Sequence, residues 1–462
     1  MKYFRNLVVL LLSVLCVFEA EAKDMYRFRV YLNGKGESGC TIDKPEGFLS
    51  EKAITRRLKH NIEITEADLP ISNAYLDSLT SVGCTPVVHS RWLSTVVVES
   101  EDSLIVDKLE VMSIVDSVKW VWKGTVCGGV SEEMESHIGT LPHKDELLDE
   151  PYGYALKQIK MLNGIKLHEK GFLGQGMSVA VIDAGFQNVD KIEAFESLTI
   201  LGTHNFVDPN ESVFVGDDHG TKVLSCMAAN AQGLMIGTAP KASYWLIKSE
   251  DSRSEFPVEE DYWAAAVEFA DSVGADVISS SLGYYTYDGE GMGYSQAALD
   301  GNTALISRVA RLAAEKGILL FCSAGNEGNG SWEKITFPSD AAGILTVGSI
   351  TMDKKKSAFS SIGFTSDYRV KPDVVALGTG SCVIDPWGSI RYVNGTSFST
   401  PILAGLGVCL WQALPWLSNY EIIELLRESS TQYKRPDAEL GYGIPDVYKA
   451  YKKKSKNASV SQ

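Results

Sequence analysis

Short apolar runs alternate with longer amphipathic stretches across residues 151–451. Five of these runs have the length and composition of buried β-strands, at residues 177–183, 242–248, 276–282, 317–324 and 344–350. Residues 260–274 and 303–317, which lie between strands, have a helical pattern. This alternation is typical of a parallel sheet with helices on both faces. In such a sheet, functional groups gather at the carboxyl ends of the strands.

The first part of the chain, residues 23–125, has a different pattern. It predicts four strands and two helices in the order βαββαβ, at residues 28–32, 73–83, 85–92, 94–100, 103–112 and 113–122. This order is the ferredoxin-like α+β arrangement. A further helical stretch at residues 49–60 departs from the minimal pattern. Residues 126–150 are polar and include Gly128-Gly129, which predicts an exposed linker between two domains.

The first 22 residues have the pattern of a secretion signal. Basic residues precede an apolar stretch at 7–18, and Ala20-Glu21-Ala22 fits a cleavage site, so we expect cleavage after Ala22. Cys16 raises the alternative of a lipid anchor, but residues 13–15 lack the small residue expected just before such a cysteine. The apolar stretch is too short for a stable membrane span, and no later segment is long and apolar enough. The chain is therefore predicted to be secreted or periplasmic, without stable membrane insertion.

Overall charge narrows the classes of partner. The 462 residues carry a formal net charge of −16, which argues against a nucleic-acid partner. Residues 452–462 are an exception, because they begin with three consecutive lysines, and we interpret them as a solvated basic tail.

Eight cysteines are present, and removal of the signal would leave seven. Export permits disulfides, but an odd number of cysteines cannot all pair within one chain. Cys226, Cys322 and Cys409 lie inside apolar runs and are predicted to behave as small buried hydrophobic residues. Among the others, a bridge between Cys40 and Cys84 is the favoured pairing. No two cysteines have CxxC spacing, which argues against a zinc site.

Three short stretches carry the candidate chemistry. They are VAVIDAG at 179–185, DDHGTKV at 217–223 and NGTSFSTP at 394–401. A hydroxyl can attack a peptide carbonyl when a base lies within hydrogen-bond reach and a third group holds that base. Ser397, His219 and Asp183 supply these three residue types, beside small residues where a substrate backbone must come close. Each of these residue types taken alone is more often structural, so their catalytic interpretation depends on the motifs that accompany them.

Local signals fit this interpretation. Asp217 or Asp218 is predicted to cap the helix that His219 begins. Ser397 follows a Gly-Thr turn and opens an apolar helical run. Pro401 is expected in the first turn of that helix, where its missing N–H group costs nothing.

In the order Asp, His, Ser, these stretches resemble the subtilisin-like serine proteases, or subtilases. Further segments match the family in the same order, namely PYGYALKQIK at 151–160, VISSSLG at 277–283, LLFCSAGNEG at 319–328, KPDVVALG at 371–378 and LGYGIPDV at 440–447. The resemblance covers residues 151–451 and implies an α/β, subtilisin-like three-layer fold with a mostly parallel sheet. Subtilases commonly carry a ferredoxin-like propeptide, so it also implies that residues 23–125 are an inhibitory, folding-assistant propeptide. An unrelated binding domain is the alternative.

The resemblance implies a role for each catalytic residue. Ser397 would be the nucleophile and His219 the general base, while Asp183 would orient the imidazole and stabilise its charged form. Asn326 would donate to the oxyanion together with the backbone N–H of Ser397. Ala184 stands where many subtilases have Ser or Thr, which removes a hydroxyl near the Asp183 carboxylate.

Two groups of residues are expected to bind the substrate peptide, one as an exposed strand edge and one as the opposite wall of the specificity pocket. They are Ser281, Leu282 and Gly283 in the first group, and Ser323, Ala324 and Gly325 in the second. Glu327 is expected near the pocket mouth, where it would favour basic or polar groups. The resemblance also predicts a cis peptide bond at Phe337–Pro338.

Two features bear on calcium. Residues 230–237 are short and poor in carboxylates where the family often has a calcium-binding loop, so no calcium site is predicted there. Residues 284–302 form a Tyr- and Gly-rich insertion that is expected to border the cleft. Three acidic residues of this insertion could supply hard oxygen ligands to calcium, namely Asp288, Glu290 and Asp300. A solvated loop is nevertheless favoured over a metal site there. The sequence thus names no metal ligands and no required cofactor.

The sequence therefore predicts an exported, monomeric serine endopeptidase that acts on polypeptides and is made as a self-processing proenzyme. Self-cleavage is expected within residues 126–150, with the propeptide as an intramolecular inhibitor. One alternative is a binding protein on an inactive protease scaffold, which is disfavoured because all four catalytic residues are present. Another is an esterase, which is disfavoured because Ser399 stands where a GxSxG elbow needs glycine. A nucleotide site is disfavoured because GFLGQG at 171–176 precedes its strand rather than following it.

Overall fold

The computed structural model describes residues 23–126 and 147–458. The predicted signal peptide, Cys127 and most of the predicted linker lie outside the described residues. Within the two described stretches, no helix combines the length and apolarity needed to cross a membrane.

The N-terminal domain is a four-stranded antiparallel sheet with two helices packed on one face. Its strands are β1 Lys23–Leu32, β2 Thr85–Ser90, β3 Thr95–Ser100 and β4 Val115–Val126, and their order in the sheet is β2-β3-β1-β4. Its helices are α1 Glu51–Lys59, α2 Asn73–Ser81 and α3 Ile105–Glu110. Side chains from α2, α3 and one sheet face form a common core, which includes Val30, Leu79 and Leu109. The ferredoxin-like prediction is confirmed, with α1 as the additional helix.

The second domain is built on a parallel sheet of seven strands. These strands are β5 Ser178–Asp183, β6 Thr199–Asn205, β9 Ser243–Lys248, β10 Val277–Ser280, β11 Leu319–Ser323, β12 Leu345–Ile350 and β13 Val374–Leu377. Their order in the sheet is β13-β12-β11-β10-β5-β9-β6. Two short antiparallel pairs lie outside it, formed by β7 Asn230–Ala231 with β8 Met235–Ile236 and by β14 Thr379–Ile384 with β15 Ile390–Asn394. The helices are α4 Leu156–Met161, α5 Ile165–His168, α6 His219–Ala228, α7 Val258–Ser272, α8 Leu305–Glu315, α9 Thr396–Ala413, α10 Asn419–Ser429 and α11 Val447–Ala458.

Alternation of side chains along the strands produces the three layers. On β5, Val179 and Val181 join the core formed with α6 and α9, whereas Ala180 and Ile182 join the core formed with α7 and α8. Buried strands with apolar residues on both faces require this double cover. The predicted three-layer α/β fold is therefore confirmed.

The N-terminal sheet packs against α7 of the second domain. Val88, Val97 and Val121 of the sheet form a buried cluster with Val258 and Tyr262 of that helix. This contact buries an apolar surface of both domains, so the two domains form one packed unit in the described structure.

Buried ion pairs surround this apolar contact. The Asp271 carboxylate of α7 accepts from Arg56 at 2.5 Å, Arg57 at 2.7 Å and Arg91 at 3.3 Å, and all three arginines belong to the N-terminal domain. At the other end of α7, Arg29 donates to both oxygens of Asp261, at 2.7 and 2.6 Å. The paired charges restrict how the two domains can be docked, because leaving either partner unpaired in the interior is costly.

Two local predictions were wrong. Cys40 and Cys84 are both free: Cys84 is buried and its thiol donates to the Leu79 carbonyl, whereas Cys40 is only half-buried. Cys84 belongs to the apolar core of the N-terminal domain, so packing rather than a covalent bond accounts for its burial. Pro401 lies in the second turn of α9 rather than the first, because the helix begins at Thr396.

The prediction for three buried cysteines is confirmed, whereas the C-terminal segment is more ordered than predicted. Cys226, Cys322 and Cys409 are fully buried, as predicted. The segment interpreted as a basic tail is helical through residue 458, because α11 continues into it, and Lys453 pairs with Glu428 on α10.

Candidate active site

Asp183 and His219 meet at the carboxyl end of the sheet. Asp183 is the last residue of β5, and its Oδ1 lies 2.6 Å from Nδ1 of His219, the first residue of α6. Asp218 occupies the N-cap position of this helix without a capping hydrogen bond from its side chain, whereas Asp217 Oδ1 accepts from the His219 backbone N–H at 2.8 Å. The backbone and Nδ1 of His219 are thus both fixed by hydrogen bonds, and the residue lines the cleft.

The Asp183 carboxylate is fully buried. Its Oδ1 also accepts from the Ala184 N–H at 2.8 Å, while among the described residues Oδ2 has no hydrogen-bond partner. This agrees with the expectation that Ala184 removes a nearby hydroxyl donor. Burial lowers the pKa of His219, but the adjacent Asp183 carboxylate raises it more, and the pKa lies above its ordinary value.

Ser397 lies in the first turn of α9, beside His219 in the same cleft. Its Oγ donates to the Ser281 carbonyl at 3.4 Å, and within the described residues it makes no hydrogen bond to the imidazole. Such contacts are often long without substrate and tighten when substrate binds.

A second contact explains how α9 tolerates Pro401. Proline removes the N–H that would bond to the carbonyl four residues earlier, which is that of Ser397. Ser281 Oγ donates to this carbonyl at 2.8 Å instead. Ser281 therefore fixes the backbone of Ser397, a role that local sequence patterns did not indicate.

Asn326 is exposed in the cleft just after β11. Its Oδ1 accepts from the backbone N–H of Thr396 at 2.9 Å and from the Thr396 hydroxyl at 3.1 Å. Because the oxygen is occupied, the amide nitrogen is the group left to donate into the cleft. The backbone N–H of Ser397 lies in a first helical turn, where such groups have no intrahelical partner. Thr396, which sequence reasoning missed, thus orients this amide.

The cleft encloses about 330 Å³ and contains most of the predicted substrate-binding residues. Ser281, Leu282, Gly283, Ser323 and Gly325 line it. The predicted exposed strand edge is wrong in two respects: residues 281–283 follow the carboxyl end of β10 without belonging to a strand, and Gly283 is exposed whereas Ser281 and Leu282 are buried. Ala324, in contrast, is fully buried in the core beneath the cleft.

Acidic groups also line the cleft. Glu327 is half-buried there, and Tyr285 of the 284–302 insertion donates to its carboxylate at 3.0 Å. Glu250 and Asp217, which were not predicted as cleft residues, line it as well. The Phe337–Pro338 peptide bond is cis, as predicted.

A paired aspartate and histidine beside a serine at a helix N-terminus, on this three-layer fold, are the arrangement of subtilisin-like serine peptidases. Comparison with known families agrees: residues 174–443 match the Subtilase family, and residues 27–136 match the Peptidase S8 propeptide domain of Bacteroidota. The chain belongs to the Subtilase family and is a serine endopeptidase with an N-terminal propeptide domain.

Individual relatives support the same assignment. Subtilisin NAT of Bacillus subtilis subsp. natto is 30% identical over 301 residues, which cover 64% of this chain and 70% of that protein. Subtilisin of Bacillus pumilus is also 30% identical over 301 residues, which cover 64% of this chain and 98% of that protein. The crystal structure of MycP1 from Mycobacterium smegmatis shares the fold, with a TM-score of 0.52, 20% identity, and coverage of 68% of this chain and 88% of that chain.

Proposed function

We propose that the enzyme is exported as a proenzyme and hydrolyses polypeptides with Asp183, His219, Ser397 and Asn326 as its catalytic residues. The observation that carries this proposal is the 2.6 Å contact between Asp183 Oδ1 and His219 Nδ1, in a cleft that also holds Ser397 and Asn326. Export rests on the predicted signal sequence at residues 1–22.

The contact with Asp183 keeps the proton of the neutral imidazole on Nδ1, so that Nε2 of His219 can accept another. Ser397 Oγ attacks the peptide carbonyl carbon, and its proton passes to Nε2. The carbonyl oxygen becomes negative and accepts from the Asn326 amide and the Ser397 N–H. His219 then gives the proton to the leaving nitrogen as the C–N bond breaks. Water, deprotonated by His219, releases the acyl group and restores Ser397.

The extended substrate would pair with the backbone of residues 281–283, and residues 323–325 would form the opposite wall of the pocket. The packing around two of these residues requires glycine, because a Cβ on Gly283 would lie 2.2 Å from the Thr336 hydroxyl and one on Gly325 would lie 2.8 Å from the Ser361 hydroxyl. Main-chain pairing selects little sequence, so most selectivity would come from the acidic wall near Glu327, which favours basic groups.

The N-terminal domain would act as an intramolecular inhibitor after cleavage within residues 126–150. The apolar contact with α7 and the ion pairs at Asp271 and Asp261 would keep it bound after the chain is cut.

Peptide and ester turnover by the wild type, Ser397→Ala and Ser399→Ala test this function. Ser399 is a matched control, because it is a buried serine of the same helix turn whose hydroxyl donates to the Thr396 carbonyl. We expect Ser397→Ala to lose about 10⁶-fold in kcat, as in subtilisin, and to remain uncleaved at full length. Ser399→Ala should retain both activities. Equal peptide turnover in Ser397→Ala and wild type would refute the proposal. A wild type that hydrolyses esters but not peptides would favour the esterase alternative.

A further inference from the structure

Three glutamates converge in the loop that joins β9 to α7. Glu250 follows the end of β9, Glu255 lies in the loop, and Glu259 lies in the first turn of α7. One carboxylate oxygen from each lies within 4.8 Å of the oxygens of the other two. Glu250 also lines the cleft beside His219, so this cluster borders the candidate active site.

Glu259 is the unusual member of the cluster. The residue is 1% exposed, and among the described residues neither of its carboxylate oxygens has a hydrogen-bond partner. No lysine or arginine nitrogen of the described residues lies within 4.0 Å of any of the three carboxylates. Burying a carboxylate without a partner is costly, and no positive charge from these side chains offsets that cost.

The spacing of the oxygens fits a hard cation. Calcium binds carboxylate oxygens at about 2.3–2.6 Å, so two ligand oxygens of one ion lie at most about 5 Å apart. Neighbouring hydrogen bonds hold two of the ligands in place: Tyr284 donates to Glu250 Oε2 at 2.7 Å, and the Glu255 N–H donates to Asp288 at 2.9 Å.

We infer that Glu250, Glu255 and Glu259 bind a calcium ion that fastens the β9–α7 loop beside the cleft. This site lies outside residues 230–237, where the family often has its calcium loop, and it does not use the carboxylates of the 284–302 insertion as primary ligands. The inference does not depend on the proposed catalytic roles, because binding can be measured in a protein without the nucleophile.

The test uses the full-length Ser397→Ala protein, which cannot digest itself, after removal of metal with EDTA. Calcium binding is measured by calorimetry in this parent and in the added substitutions Glu255→Gln, Glu259→Gln and Glu290→Gln. We expect the first two to weaken one calcium site at least about 10-fold, since loss of outer-shell partners alone has this effect. Glu290→Gln is the control, because this exposed glutamate of the insertion lies outside the cluster.

Thermal unfolding is a second measurement, and it distinguishes loss of calcium binding from poor folding of a variant. Without calcium, Glu259→Gln should be at least as stable as the parent, because a neutral amide replaces a buried, unpartnered carboxylate. Calcium should then stabilise the parent, which binds it only when folded, more than it stabilises Glu259→Gln. Absence of calcium binding in the parent, or the same binding and stabilisation in Glu259→Gln as in the parent, would overturn the inference.

Discussion

Removal of the Asp271 carboxylate should weaken propeptide binding more than any change at the rim of the same interface. Asp271 has no exposed side-chain surface, and the guanidinium-bearing side chains of Arg56, Arg57 and Arg91 around it are 4%, 1% and 11% exposed. Asp271→Ala would therefore leave positive charges in an interior that water does not reach.

The loss of propeptide affinity depends on which anionic partners the three arginines keep in Asp271→Ala. Arg57 would keep Asp68 at 3.2 Å, and Arg91 would keep Glu268 at 3.9 Å. Arg56 would keep only uncharged carbonyl acceptors, including that of Ala275 at 2.5 Å. Removing one partner of a buried pair costs about 3–5 kcal/mol, and because a single arginine is left without an anion we expect about 3 kcal/mol. At 1.4 kcal/mol per tenfold, the affinity for the propeptide should fall roughly 100-fold.

The assay follows the appearance of peptidase activity when the self-cleaved complex is diluted, which gives the dissociation constant of the propeptide. Lys52→Gln is the control: Lys52 crosses the same interface to Asp276 at 2.7 Å but is 41% exposed. A surface pair contributes about 1 kcal/mol or less, so this variant should change the affinity less than about 5-fold. After complete dissociation, Asp271→Ala should have the wild-type kcat/KM. Equal effects of Asp271→Ala and Lys52→Gln would show that the buried carboxylate contributes no more to propeptide binding than the exposed ion pair.

Three further predictions concern the peptidase domain. Asn326→Ala should lower kcat about 10²–10³-fold with little change in KM, in steady-state kinetics, because it removes a donor to the transition state; an effect on KM alone would contradict this role. Activity should fall as the pH falls through the pKa of His219, and because Asp183 raises that pKa, Asp183→Asn should move the acidic limb of kcat/KM to lower pH and reduce its maximum about 10⁴-fold; an unchanged limb would show that the two residues are not coupled. Ser281→Ala should destabilise the fold by about 1–3 kcal/mol in denaturant unfolding, because it leaves the Ser397 carbonyl without its donor, whereas Ser281→Thr keeps a hydroxyl and should lose less.

The sequence predicted the site best where a functional residue directly follows a recognisable strand pattern. Asp183 and Asn326 follow apolar runs, and residues at the carboxyl ends of parallel strands are brought to one edge of the sheet. Alternation of apolar residues likewise predicted the central strands, and the βαββαβ order predicted the N-terminal sheet. The strand at residues 199–205 was missed, because it lies at the sheet edge and its side chains are mostly not buried.

Contacts between distant segments were not predictable. Nothing near Asp271 in the sequence indicates three arginines that are 180 to 215 positions away. The position of Pro401 was misjudged because α9 begins at Thr396, five residues before the apolar run that starts with this proline. The glutamates of the β9–α7 loop resemble ordinary solvated acids in the sequence, and only the fold shows that Glu259 is buried.

The most direct test of the central claim is intact-mass spectrometry of the protein lacking residues 1–22, with and without a fluorophosphonate. Wild type and Ser397→Ala are compared side by side. The wild type should fall to a fragment that starts near residues 125–150 and gain one covalent adduct, whereas the mutant should stay at full mass without an adduct. A wild type that takes no adduct, even after an added protease has removed the propeptide, would contradict the assignment of Ser397 as the nucleophile.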